Sequence, residues 1–169
     1  PNEMIRNIGI TSRLPVKCRM TGIRMYSHGL VDNVFITQMW HHGIYIKGSY
    51  DTVITSDIEY NYYGIAVEGD HHLIRSNYVS NPYSTSGETR PWTPKSMYWG
   101  GIAGDNLTYT VIDSNTVEDN GQSGIYSGGT PHPTFGNVIT NNTVRHNRNE
   151  GIDQGVEGRV NPASNYVGH

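Results

Sequence analysis

Short apolar runs alternate with small polar residues along the whole chain, and the runs are too regular to be independent. The dipeptide Gly-Ile recurs at Gly22-Ile23, Gly43-Ile44, Gly64-Ile65, Gly101-Ile102, Gly124-Ile125 and Gly151-Ile152. The first two intervals are 21 residues, and the later ones are 37, 23 and 27. Between them lies a second motif, seen in Val53–Ile58, Leu73–Val79, Val111–Val117 and Val138–Val144. Each copy joins an apolar pair to a second short strand through a Ser/Asn/Asp turn and is followed by Asn61, Asn81, Asn120 or Asn147. Strands this short, with turn residues between them, predict one coil of three strands per repeat.

A strand of a few residues cannot bury a face alone. Coils stacked about 4.8 Å apart can, because Ile then sits on Ile and Val on Val. The turn residues Asn77, Asn115 and Asn142, with Asp57 in the same slot, predict a polar column at one corner. An amide carries both donor and acceptor, so identical Asn side chains bond up and down a stack. This pattern resembles the right-handed parallel β-helix of the pectate-lyase-like superfamily, over about residues 22–156. The expected fold class is therefore all-β: a parallel β-helix solenoid of about six coils, read as one domain over 1–169. With no recognisable cap at either end, a section of a longer helix is expected. A leucine-rich repeat, a propeller and a left-handed β-helix fit less well, since Leu is scarce and neither a 40-residue blade nor a hexapeptide period is found.

Composition agrees. Ile occurs 16 times and Val 13, against four Leu and three Ala, which excludes a helical bundle. The net charge is -3 and Lys occurs three times, which argues against nucleic acid and anionic membrane surfaces as partners. No apolar run approaches a bilayer span. The lone Cys18 excludes an intrachain disulfide framework.

Strand alternation assigns faces. In each Gly-Ile strand the Ile points in. The first outward column is then Arg24, Tyr45, Ala66, Ala103, Tyr126 and Asp153, and the second is Tyr26, Lys47, Glu68, Asp105, Gly128 and Gly155. The preceding turns add His41, His42, Tyr62, Tyr63, Trp99 and Glu150. Aromatic rings and charged planar groups suit sugars, and the superfamily resemblance implies a saccharide chain lying along this sheet. Arg24, Tyr45, Tyr63, Trp99, Tyr126 and Glu150 are the expected sugar contacts. Two insertions, 82–100 and 129–135, would form loops on one rim, the first carrying Trp92 and Trp99 and the second His132.

Glu68 and Asp105 are expected one coil apart, about 4.8 Å between backbones. Three readings stay open. They are a glycosidase pair, for which a separation of about 5 Å suits a retaining mechanism; a calcium site with Asp70; or solvated surface acids. A lyase would instead use Lys47 or His42 as base beside a calcium held by Glu68, Asp70 and Asp105. Asp153 is a further candidate acid, with Glu150 beside it. His71, His72 and Arg75 form a second basic group. Adjacent His41 and His42 on a strand would face opposite ways, which disfavours zinc. The expected function is a secreted or cell-surface protein that binds a polysaccharide or oligosaccharide and cleaves it, as lyase or hydrolase, with calcium as the candidate cofactor. The alternative is a non-catalytic β-helix: an adhesin, a phage tail segment or a structural accessory protein.

Overall fold

A computed structural model describes residues 3–12, 20–80, 100–128, 134–154, 159–160 and 165–168. Among them every named element is a strand, and every pairing is parallel. Successive strands feed three sheets in rotation, so the chain forms a β-solenoid. The groove sheet holds the six Gly-Ile strands: Ile23–Met25, His42–Ser49, Tyr63–Asp70, Ile102–Thr108, Ile125–Gly128 and Ile152–Gln154. The other two sheets have seven strands each, most of three residues.

The core is a set of in-register columns. Ile23, Ile44, Ile65, Ile102, Ile125 and Ile152 pair in the groove sheet. Ile5, Val31, Val53, Ile74, Ile112 and Ile139 pair in the second sheet. Ile10, Ile36, Ile58, Val79, Val117 and Val144 pair in the third. Most of these side chains are fully buried. Each contributes about 1.5–3 kcal/mol over an exposed position. Stacking β-branched residues fixes the register, because a slip of one residue would turn every inward side chain outward.

The glycine of Gly-Ile has a steric cause. A Cβ on Gly43 would come within 2.5 Å of Ile58 Cγ2, and on Gly124 within 2.4 Å of Val144 Cγ1. The groove sheet meets the third sheet at this bend too closely for any side chain.

The corners carry polar ladders. At one, Asn77, Asn115, Asn142 and Asn165 stack, each Oδ1 accepting from the backbone N–H and the Nδ2 of the Asn one coil before it, at 2.9–3.0 Å. The first place in this ladder belongs to Ser56, whose N–H donates to Asn77 Oδ1, and not to Asp57. Asp57 lies one residue further on, paired with Tyr78. The strands are in step there, with Val53 on Ile74; the motif looks offset by one in the sequence because the position opposite Leu73 is the polar Thr52. At a second corner Asn120 donates to Asn147 in the same way.

The third corner keeps this bonding without keeping the residue. Asp51, His72, Thr110 and Asn137 follow one another: Gly29 N–H donates to Asp51, Asp51 N–H to His72 Nδ1, His72 N–H to Thr110, and Thr110 N–H to Asn137. Asp51 and His72 side chains are fully buried. An Nδ1 that accepts a hydrogen bond belongs to a neutral imidazole, and burial lowers the His72 pKa accordingly. On the outer rim of this corner His28, Tyr50, His71 and Tyr109 stack in line, 4.8–5.4 Å between ring centres, with Phe135 edge-on at the end.

Candidate functional site

The register fixes what each coil presents on the groove sheet. Arg24 pairs with Tyr45, Tyr45 with Ala66, Ala66 with Ala103, Ala103 with Tyr126, and Tyr126 with Asp153. Two residues on, Lys47 pairs with Glu68, Glu68 with Asp105, and Asp105 with Gly128. The paired strands then bend sharply, with Gly48 still opposite Gly69 and Ser49 opposite Asp70. Gly48 and Gly69 take φ of +130° and +115°, and a Cβ on Gly69 would lie 1.8 Å from the Gly48 carbonyl oxygen. Only glycine permits that close passage, so Lys47 and Glu68 stand at the lip of the bend.

Above these residues lies a groove of about 650 Å³, lined by Arg24, Tyr26, His41, His42, Tyr45, Lys47, Tyr63, Ala66 and Glu68 among others. Tyr26 was not singled out as a sugar contact from the sequence, although its place in the outward column marks it. The Tyr45 hydroxyl donates to Glu68 Oε1 at 2.8 Å, and Lys47 Nζ lies 3.6 Å from Glu68 Oε2. Burial, followed by the bond to Glu68 and its charge, pushes the Tyr45 phenol up to about 12. Burial raises the Asp105 carboxyl too, and the charge of Glu68 adds to the effect. Two neighbouring carboxyls are therefore held differently: Glu68 by a hydroxyl and an ammonium, Asp105 in a setting that favours its proton.

His42 stacks on Tyr45 and on Tyr63, with ring centres 5.1 and 5.0 Å apart. Burial, then the nearby His41 and Arg24, lowers its pKa to about 3. The His41 and His42 rings touch edge to face at 3.8 Å, against the expectation of opposite faces. His41 precedes the strand that begins at His42, so strand alternation does not bind it.

Further along the sheet, Tyr126 lies between two acids. Its phenol is raised by burial, then by Asp105 and Asp153. Glu150 is raised by the charge of Asp153 and by a hydrogen bond to it. Asp70 faces away from this line. It accepts from Ser49 and pairs with His71 Nδ1 at 2.6 Å, and these bonds lower its pKa. Among the described residues no three His, Cys, Asp or Glu side chains converge on one point. The donor set expected for calcium from Glu68, Asp70 and Asp105 is thus not assembled. The second basic group is dispersed: His72 is buried in the corner ladder, and Arg75 lies in the second sheet, away from the groove sheet, bonding its opposite neighbour Asp113 at 2.9 Å. Trp99 and both insertions, apart from Gly100, Thr134 and Phe135, lie outside the described residues.

Comparison with known proteins agrees with the architecture. A family model described as the right-handed beta helix region matches residues 21–167. The chain belongs to this right-handed β-helix family. It is also 45% identical over 123 residues to the tail spike protein of Salmonella phage epsilon15. That match covers 70% of the chain but 12% of the relative's length. Among solved structures, the crystal structure of the Dettilon tailspike protein superimposes with a TM-score of 0.59 at 20% identity, over 98% of this β-helix chain and 40% of that one. At that identity the likeness is one of fold.

Proposed function

We propose that this chain is a β-helix section of a phage tail spike, that it holds a polysaccharide of the host surface along the groove sheet, and that it hydrolyses it. The tail spike kinship supports the setting, outside the cell and on the virion. The observation that carries the chemistry is the pair Glu68 and Asp105, one coil apart, with Glu68 contacted by the Tyr45 hydroxyl and the Lys47 amine and with the Asp105 carboxyl raised by burial and by the charge of Glu68. Asp105 serves as the acid that protonates the departing glycosidic oxygen. Glu68 serves as the charged partner that stabilises or attacks the anomeric carbon. Tyr63, Tyr126 and Arg24 line the path of the sugar chain, and Asp153 with Glu150 forms a further subsite.

Elimination has less support. Lys47 Nζ lies 3.6 Å from Glu68 Oε2, the position of an ion-pair partner. An imidazole with a pKa of about 3 is a weak base.

A panel of lipopolysaccharide O-chains and capsular polysaccharides, treated with the full-length protein, tests this reading. Hydrolysis releases new reducing ends without the ultraviolet absorbance of an unsaturated uronate, and Asp105→Asn slows the release by about 10²-fold or more while binding persists. A rise in that absorbance would overturn hydrolysis in favour of a lyase. Binding without cleavage would leave the non-catalytic tail segment, and neither would sink the polysaccharide reading altogether.

A further inference from the structure

We propose that Tyr45 is a positioning residue that orients Glu68 for the reaction, and not a surface on which a sugar stacks. The inference rests on the hydrolytic reading above.

Tyr45 and Glu68 are not opposite one another. The residue opposite Tyr45 is Ala66, and the residue opposite Glu68 is Lys47. The contact is therefore a diagonal one across two strands, a span that a long aromatic side chain can bridge. A methyl group at position 66 leaves room for the ring to lie over the neighbouring coil. Ala66 faces outward yet is only 3% exposed, as expected of a residue covered from above. The ring then ends with its hydroxyl 2.8 Å from Glu68 Oε1.

The ring is fixed by its neighbours. His42 stacks on it at 5.1 Å with planes 17° apart, and the Arg24 guanidinium sits over it at 5.1 Å. His42 is itself stacked on Tyr63. A sugar seeking the Tyr45 face would have to displace these groups, whereas the hydroxyl is already engaged. The Tyr45 hydroxyl bonds one Glu68 oxygen, and Lys47 lies 3.6 Å from the other. The bond from Tyr45 is what would orient that carboxylate toward Asp105, one coil on.

Tyr45→Phe separates the two roles, because it keeps the ring and removes the donor. Steady-state kinetics use the polymer that the unaltered full-length protein cleaves in the panel. The expected result is a fall in kcat of about 10- to 100-fold, the worth of one hydrogen bond to a charged group, with KM within about twofold. The melting temperature should match the unaltered protein, which separates the effect from misfolding. In an Glu68→Gln background the same change should have no further effect on the residual rate, since Tyr45 acts through Glu68. An unchanged kcat in Tyr45→Phe, or a raised KM alone, would overturn the proposal and return Tyr45 to the sugar contacts. An equal loss in both backgrounds would overturn it as well. Absence of cleavage by the unaltered protein overturns the hydrolytic reading and this proposal together, whereas full activity in Tyr45→Phe overturns this proposal alone.

Discussion

Along the groove sheet the inward column reads Ile23, Ile44, Ile65, Ile102, Ile125 and Ile152. The outward column one residue later reads Arg24, Tyr45, Ala66, Ala103, Tyr126 and Asp153. Both are made by the same strands in the same register. Inside, each side chain meets a copy of itself, and repetition satisfies packing. Outside, no core demands the same residue in each coil, so neighbouring coils are free to differ and meet as unlike pairs such as Tyr45 and Glu68. The corners lie between these limits. The Asn ladder repeats one residue, while the Asp51–His72–Thr110–Asn137 corner repeats only the bond. Stability is carried by what recurs, and chemistry by what does not.

The sharpest test of that division is Asp105→Asn. Removing the acid should cut the cleavage rate by about 10²- to 10⁴-fold, with thermal unfolding unmoved. A large loss of stability in this variant would show that the outward column carries the fold as well. The converse change is Asn115→Ala. It removes the acceptor of the Asn77 N–H, one of the two acceptors of Asn77 Nδ2, and the amide that donates to the Ile74 carbonyl. The expected cost is about 3 kcal/mol or more, read as a melting point lower by roughly 6–12 °C. A melt within about 1 kcal/mol of the parent would mean that water or a shifted amide replaces the ladder bond.

Acid should weaken the protein through its neutral histidines. His42 has a pKa of about 3 in the fold against 6.5 when free, so the unfolded chain takes up the proton first. Its contribution is whole above pH 6.5 and is lost as pH falls from there toward about 3. His72 acts in the same direction, and Asp51, raised by burial, acts in the opposite one. Urea unfolding of His42→Gln should therefore show a flatter decline across that range than the parent. Equal slopes would place the acid sensitivity elsewhere. The smallest effect belongs to Lys47→Met. Its ion pair is open to solvent, with side chains 58% and 37% exposed, and should alter stability by at most about 0.5 kcal/mol.

How far the sequence foretold this molecule follows from the same division. Six Gly-Ile pairs in line can be read directly, because the interior demands the same residue in each coil. The outward columns then follow by alternation, which is why Lys47, Glu68 and Asp105 could be placed side by side. The corner with Asp51 and His72 was hidden because its members share geometry and not identity. His72 looked like part of a basic patch because nothing in HHLIR marks its ring as buried. The Ser56 slot was missed by one residue because Thr52 is polar at a position that is only half-buried. The Tyr45–Glu68 bond was beyond reach for another reason. Register places residues opposite one another, and this bond runs diagonally.

Parallel, in-register stacking also makes distance in this molecule discrete. Two residues of one outward column have their backbones one coil apart or two, at about 4.8 or 9.6 Å, with no stable value between. A coil duplicated between those of Glu68 and Asp105 would leave every inward column in step, yet would carry the two acids from the spacing of direct attack to that of an intervening water. The solenoid behaves as a ruler with fixed graduations, on which a new reaction geometry is one repeat away.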